Sequence, residues 1–169
     1  MSSSVNNLGI TVISPKVAMS DKLIQLFATF FYIGHFPAAS GTLASVAGVF
    51  ISIGLCHNPV GYIFFLLMIT LIGFTVSGPM EKLIRQKDPS CIVIDEVAGV
   101  MLAFFLLPLN MPVLVTAFFL FRAFDMFKIY PVNKFEALGG SSGVMMDDLI
   151  AGIYTNITMH AAIWFSGFV

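Results

Sequence analysis

Two long uncharged apolar runs constrain this chain more than any other feature of its sequence. Residues 41–56 and 62–77 contain no Asp, Glu, Lys or Arg, and each run follows a short break, HFPAAS or HNPVG. A helix of this length comes close to crossing a bilayer, whose hydrocarbon core takes about 20 apolar residues. The runs therefore predict membrane helices rather than the core of a soluble domain.

The composition agrees with this interpretation. Hydrophobic residues make up 58% of the 169 residues, which is too apolar for an ordinary soluble domain of this length. The net charge of −1, without clustered Lys and Arg, excludes a nucleic-acid-binding surface. Cys56 and Cys91 stand apart from any metal-binding spacing and are expected as packing residues. We expect one domain over residues 21–169 after a flexible tail, residues 1–20, that does not resemble a signal peptide.

The other apolar segments complete a predicted all-α membrane bundle. The short periodic stretch DKLIQLFATFFYIG, residues 21–34, predicts an interfacial helix whose first turn Asp21 caps. Gly78-Pro79 is expected to end the second uncharged helix. Three further helices are predicted at residues 92–107, 113–130 and 144–169. The loops that hold nearly all Lys and Arg, including the solvated loop 81–88, are cytoplasmic by the positive-inside rule, which predicts about five crossings.

Carboxylates stand at the ends of these apolar segments. Asp95 and Glu96 begin the third crossing, Asp125 ends the fourth, and Asp147 and Asp148 begin the fifth. An ionised side chain at bilayer depth costs at least about 2.5–3.5 kcal/mol, so such residues usually face a site, a cavity or a partner. In the predicted topology all of these acids lie at one depth, on the cytoplasmic side.

Two of the acidic segments follow the same pattern. DEVAG, which starts at Asp95, and DDLIAG, which starts at Asp147, each place two acids before small residues one helical turn later. Small residues let membrane helices approach closely. Two such helices side by side would bring together four carboxylates, those of Asp95, Glu96, Asp147 and Asp148. A hard divalent cation such as Mg²⁺, Ca²⁺ or Mn²⁺ would offset their repulsion. The alternative is that first-turn acids only complement the helix dipole.

Arg122, Asp125 and Lys128 follow at spacings i, i+3 and i+6, which places them on one helix face. The two cations would bind a phosphate group, and Asp125 would serve as a further metal ligand or would orient Arg122. The alternative is an intrahelical ion pair at the membrane surface with cations that reach toward water.

Ser40, Gly41 and Thr42 open the first uncharged run. They predict an ordinary N-cap or, through the backbone N–H groups of Gly41 and Thr42, a second element that binds phosphate. The loop 131–143 contains three glycines, Gly139, Gly140 and Gly143, which imply positive φ or a close approach to another group.

The motifs that carry these residues resemble one known family. GTLAS (residues 41–45), IVIDEVAG (92–99), FRAFDMFKIYPV (121–132) and GVMMDDLIAGIY (143–154) occur in the order and spacing of the phosphatidylglycerophosphatase A family. The resemblance implies an all-helical enzyme of the bacterial cytoplasmic membrane that uses Mg²⁺ to hydrolyse phosphatidylglycerophosphate to phosphatidylglycerol, with its site facing the cytoplasm. The family's charged positions correspond to Asp95, Glu96, Arg122, Asp125, Lys128, Asp147 and Asp148. The chain departs from the family at Ser40 and at Ile129-Tyr130, where Pro and Pro-Trp are usual.

The residues and the resemblance lead to the same mechanistic hypothesis. One or two Mg²⁺ ions are expected on Asp95, Glu96, Asp147 and Asp148, with the phosphate also neutralised by Arg122 and Lys128. The ion would activate a water for attack and stabilise the leaving oxygen, and one carboxylate, such as Asp125, would accept the proton. Direct attack by an aspartate is the alternative chemistry.

Three other functions compete with this hypothesis. Another lipid-headgroup enzyme is disfavoured because the SRxxxxxH-like and DGxxAR patterns of such enzymes are missing. A divalent-cation transporter would place its carboxylates near the middle of the bilayer rather than at one face. A structural assembly factor would tolerate loss of the acids. His35, His57 and His160 are isolated and are not expected as ligands, and the sequence does not define an oligomeric state.

Overall fold

The computed structural model describes residues 19–127 and 139–167, which form an all-α structure without strands in those ranges. Its helices are α1 (Met19–Ala28), α2 (Ser40–Leu55), α3 (Pro59–Ile84), α4 (Ile94–Phe104), α5 (Met111–Phe127) and α6 (Gly140–Ser166), with a 3-10 turn at Ile33–His35. The predicted all-helical class is confirmed. Lys128 and nearly all of the predicted N-terminal tail lie outside the described residues.

Helix α4 is the centre of the molecule. Nine of its eleven residues are buried, and it packs against α2, α3, α5 and α6. Two groups of buried apolar side chains lie around it, one mainly with α2 and α3 and the other mainly with α5 and α6. At about 1.5 Å per residue α4 is only about 16 Å long, shorter than the helix predicted over residues 92–107.

The early end of α4 is stabilised by α6. The last carbonyl groups of a helix have no partner within the helix. The Asn156 side-chain amide donates to the carbonyl oxygens of Ala103, at 3.1 Å, and Phe105, at 2.8 Å, and His160 Nε2 lies 3.3 Å from the latter. This external amide compensates for the hydrogen bonds that a longer helix would have made.

Small residues bring α4 and α6 together, as the DEVAG and DDLIAG pattern predicts. A Cβ added to Gly99 would lie 2.6 Å from the backbone oxygen of Asp148, and one added to Gly152 would collide with the backbone oxygen of Gly99. Gly48 gives α2 a similar approach, since a Cβ there would lie 3.1 Å from the Val97 carbonyl oxygen.

The prediction that Gly78-Pro79 ends the second uncharged helix is wrong, because α3 continues through Pro79 to Ile84. Proline removes one hydrogen bond from the helix. The turn is held from outside, where Ser141 Oγ of α6 accepts from the Gly78 N–H at 2.6 Å.

A second prediction also needs correction: α1 begins at Met19, so Asp21 lies in its first turn and does not cap it.

The apolar helices differ in their ability to cross a membrane. Within the described ranges, α3 is the one helix that is both long and apolar enough to do so by length and composition, and α2 is apolar but shorter. Exposed large side chains on α3 include Val60, Phe64, Leu67 and Leu71. The predicted count of about five crossings remains a prediction.

Candidate active site

Three carboxylates from two helices form a compact buried cluster. Asp95 and Glu96 lie in the first turn of α4, and Asp148 lies two turns into α6. One oxygen atom from each of the three side chains can be chosen so that all lie within 4.8 Å of one another. The close approach of α4 and α6 at Gly99 brings these helices to that distance. We call these three residues the acidic cluster.

The acidic cluster fits a hard divalent cation. Asp95 Oδ1 and Glu96 Oε2 are buried and have no hydrogen-bond partner among the residues that the structure describes. Buried carboxylate oxygens without partners are unfavourable, and a cation supplies the missing interaction. All of the available donor atoms are oxygens, which are the ligands that Mg²⁺ and Ca²⁺ prefer.

Helix α5 contributes a charged pair to the same place. Arg122 NH1 lies 2.6 Å from Asp125 Oδ2, and each side chain is about one-fifth exposed. The charges of both residues act on Glu96 and on Asp148. The acids of α4, α5 and α6 therefore lie close together, and the Arg122 guanidinium lies at the edge of the acidic cluster.

The start of α2 lies directly against this cluster. A Cβ on Gly41 would collide with Glu96 Oε1, so the glycine leaves room for the carboxylate. Thr42 follows at a half-buried position. The Ser40 hydroxyl donates to the Ser90 backbone oxygen at 3.0 Å, and no side-chain cap precedes α2. The simple N-cap interpretation of this tripeptide is therefore wrong: Ser40 ties α2 to the loop before α4.

Asp147 has a different environment from its neighbour Asp148. It lines a small cavity with Glu81, Lys87 and Asp88, and Gly139 and Gly140, both at positive φ, border the same cavity. The acidic cluster does not include it, although the sequence analysis grouped both aspartates as metal ligands. Asp147 thus differs from Asp148 in lining this cavity, and its role as a metal ligand stays a prediction.

Asp88 is a charged group near the site that the sequence analysis missed. Its backbone N–H donates to Glu81 Oε1 at 2.8 Å, its φ is 46°, and its charge acts on Asp95. The sequence analysis treated residues 81–88 as a solvated loop, and residues 82–88 are indeed exposed. Asp is among the non-glycine residues that adopt positive φ most often, but this preference alone does not identify a residue near the site.

The cysteines and histidines lie outside the acidic cluster. Burial raises the pKa of the Cys91 thiol, which keeps it protonated and unsuited to nucleophilic attack. His35 hydrogen-bonds Gln25, and His57 hydrogen-bonds Cys56. None of these three observations supports a histidine or cysteine mechanism.

Together these features define a helical protein with a buried acidic cluster that could hold a metal ion, beside the ion pair of Arg122 and Asp125. Such an arrangement is compatible with metal-assisted phosphoryl transfer. The family model for phosphatidylglycerophosphatase A matches residues 26–163. The chain therefore belongs to the phosphatidylglycerophosphatase A family and is a phosphatase.

Individual relatives agree with this assignment. Proteins named phosphatidylglycerophosphatase A from Haemophilus influenzae and Escherichia coli K12 are 32% and 30% identical, over 82% and 76% of this chain and 87% and 77% of theirs. A Bacteroides thetaiotaomicron protein with the provisional name phosphatidylinositol-3-phosphatase is 35% identical over 84% of this chain and 94% of its own length. No solved structure matches the chain.

Proposed function

We propose that this chain hydrolyses the terminal phosphomonoester of phosphatidylglycerophosphate, releasing phosphatidylglycerol and phosphate in phospholipid synthesis. The observation that carries the proposal is the acidic cluster, whose oxygens lie within 4.8 Å of one another beside the Arg122 and Asp125 pair. This arrangement offers oxygen ligands to a cation and a guanidinium to an anion. The substrate is proposed from the family and from the names of the Haemophilus influenzae and Escherichia coli relatives.

The acidic cluster would hold Mg²⁺ through Asp95, Glu96 and Asp148. A bound divalent ion stabilises charge on phosphoryl oxygens and lowers the pKa of water. Asp95 and Glu96 also lie at the N-terminus of α4, where the helix dipole favours negative charge. The helix dipole thus offsets part of the cost of placing negative charge in this buried cluster, and a bound cation would offset more of it.

Arg122 would bind the phosphate oxygens. A guanidinium has five N–H donors in a fixed plane, so the bond to Asp125 leaves further donors for the substrate. Asp125 therefore orients Arg122, and its free lone pairs place a proton acceptor at the same position. Lys128, together with the backbone N–H groups of Gly41 and Thr42, is proposed to contribute further contacts to the phosphate.

The separate environment of Asp147 suggests a supporting role. It borders the cavity with Lys87 and Asp88, and it precedes Asp148 of the acidic cluster in the sequence. We propose that Asp147 tunes the electrostatic field of the site from this second position, while Asp148 contacts the cation.

A bilayer location is part of the proposal. Val60 and Phe64 of α3 are 78% and 70% exposed, and Phe50 of α2 is 69% exposed. Large apolar side chains on the outside of several helices are favourable in lipid and unfavourable in water. With about five crossings and the acids at the cytoplasmic face, the substrate would keep its acyl chains in the bilayer while its phosphate reaches the site.

The first test is phosphate release from phosphatidylglycerophosphate by the purified protein in detergent, with Mg²⁺ and with a chelator. We expect release with Mg²⁺, none with the chelator, and none from Glu96→Gln. Asp21→Asn, on α1 and outside the acidic cluster, is the matched control and should retain activity. Absence of release from the wild type with every divalent metal tried would overturn the proposal.

A second candidate substrate is phosphatidylinositol 3-phosphate, because the Bacteroides relative carries that provisional name. Both lipids present a phosphomonoester on a headgroup, so the same acidic cluster and Arg122 would serve either of them. Parallel assays at equal surface concentration decide between them, and we expect the glycerophosphate lipid to be hydrolysed faster.

A further inference from the structure

Two fully buried hydroxyl groups, those of Ser45 and Ser77, have no hydrogen-bond partner among the described residues. Three other fully buried hydroxyls among the described residues, that of Thr29 just after α1 and those of Ser52 and Thr155 within helices, each donate to the carbonyl oxygen four residues earlier. Such a bond is available to any helical serine, and an unsatisfied buried hydroxyl lowers stability. The two exceptions therefore call for an explanation.

Ser45 is close to the acidic cluster. It lies four residues after Gly41 and three before Gly48, so all three share one face of α2. A Cβ on Gly41 would collide with Glu96 Oε1, and one on Gly48 would lie 3.1 Å from the Val97 backbone oxygen. Ser45 lies between these two contacts and therefore faces the first turns of α4.

Glu96 provides the complementary group. Its Oε2 atom is buried and also lacks a hydrogen-bond partner within the described ranges. Side chains four residues apart on a helix have Cβ atoms about 5–6 Å apart, which places the Ser45 hydroxyl within a side-chain rotation or one bridging water of the carboxylate beside Gly41. A donor and an acceptor, both unsatisfied, thus occupy facing turns of α2 and α4.

We propose that Ser45 is a positioning residue for Glu96: its hydroxyl donates a hydrogen bond, directly or through one water, to the Glu96 carboxylate when this carboxylate binds a divalent cation. The role deepens the proposed function and rests on its cation site, but it requires no lipid substrate. Partners of this kind fix the orientation of ligating carboxylates, and their loss typically weakens metal binding about 10–100-fold.

The proposal predicts opposite effects on metal binding and on stability. Ser45→Ala removes no hydrogen bond of the metal-free protein and introduces a better helix former, so its Tm should equal or exceed that of the wild type. Ser52→Ala is the matched control on the same helix. The Ser52 hydroxyl is bonded to the Gly48 carbonyl and to Tyr62, so its loss should lower Tm.

The experiment titrates Mn²⁺ into the purified metal-free protein without lipid and measures free Mn²⁺ by electron paramagnetic resonance. Ser45→Ala and Ser45→Gly should each bind Mn²⁺ about 10–100-fold more weakly than the wild type, and Ser52→Ala should bind it equally well. Equal Mn²⁺ affinity in wild type and Ser45→Ala, or equal weakening in Ser45→Ala and Ser52→Ala, would overturn the role of Ser45.

The same variants separate this role from the proposed function. In phosphate-release assays the Mg²⁺ concentration for half-maximal rate should rise in Ser45→Ala in proportion to the loss of Mn²⁺ affinity. If Mn²⁺ binding weakens as predicted while no variant releases phosphate from either lipid, the substrate proposal fails and the positioning role stands. If the wild type binds no Mn²⁺, the positioning role fails.

Discussion

The Cα of Gly99 on α4 lies against the backbone carbonyl of Asp148 on α6, so closely that a Cβ would be 2.6 Å from the oxygen. The side chain of the same aspartate belongs to the acidic cluster. The contact that packs the two helices is therefore also the contact that sets the spacing of the proposed cation ligands. Changes in helix packing and changes in metal binding should occur together.

Gly152→Ala tests this link. Its Cβ would collide with the Gly99 carbonyl oxygen, and overpacking of a tight contact typically lowers stability by about 1–3 kcal/mol. We expect a lower Tm and weaker Mn²⁺ binding together. Gly54→Ala is the control, since nothing lies within 4 Å of its added Cβ, and it should be neutral or stabilising by up to about 1 kcal/mol. A Gly152→Ala protein with unchanged Tm would contradict the predicted contact.

The two adjacent aspartates should respond differently to the same substitution. Asp148→Asn removes a charge from the acidic cluster and should reduce the rate of phosphate release at least about 100-fold, the scale of disrupting the electrostatic stabilisation that the cation it holds would supply. Asp147→Asn alters the neighbouring cavity and should reduce it by about 10-fold or less, as for a supporting group. The rates of phosphate release of the two variants are compared at saturating Mg²⁺. A larger loss in Asp147→Asn than in Asp148→Asn would place the cation on the other side of α6.

Arg122→Lys should show that the planar guanidinium matters beyond its charge. Lysine keeps the charge but cannot bond Asp125 and phosphate through one fixed plane. We expect the apparent KM for the lipid to rise and kcat/KM to fall about 10-fold or more, since charge-assisted bonds contribute about 1.5–3 kcal/mol. Arg85→Lys, on the exposed end of α3, is the control and should behave as the wild type. Unchanged kinetics in Arg122→Lys would remove Arg122 from the phosphate site.

Asn156→Ala should destabilise the fold without touching the acids. The Ala103 carbonyl would lose its side-chain donor and the Phe105 carbonyl would keep only His160 nearby, which costs about 1–3 kcal/mol when the groups stay buried. Thermal unfolding measures the loss, and Mn²⁺ affinity below the transition should remain that of the wild type. Ser166→Ala, whose hydroxyl is exposed, should leave Tm unchanged. A Tm for Asn156→Ala equal to that of the wild type would show that the carbonyl groups find other donors.

Much of the site followed from local sequence. Apolar runs with acids at their ends predicted the helices, and small residues after each acidic pair predicted the close contact of α4 and α6. Consecutive helical residues point about 100° apart, however, so adjacent acids need not share one environment, and the acidic cluster includes Asp148 without Asp147. Which of the two turns inward depends on how α6 rotates against α4, and that rotation is a property of the assembled bundle.

The ends of the helices were the least predictable feature. Pro79 suggested a helix end, and the apolar run after Asp95 suggested a longer α4. In both cases a side chain from α6, Ser141 or Asn156, satisfies backbone groups that sequence rules treat as isolated. Such long-range bonds cannot be deduced from the segment that they stabilise. The role proposed for Ser45 could not be predicted from sequence either, because its lack of a hydrogen-bond partner is visible only in three dimensions.

The position of α6 has a consequence for how the protein acquires activity. The helix that carries Asp148 also supplies Asn156 to the central helix and Ser141 to α3. The preceding helices alone would therefore lack the third carboxylate of the acidic cluster and the side chains that support α3 and α4. Docking of α6 would complete the fold and the proposed site in one step, so hydrolysis of the lipid should report that this docking has taken place.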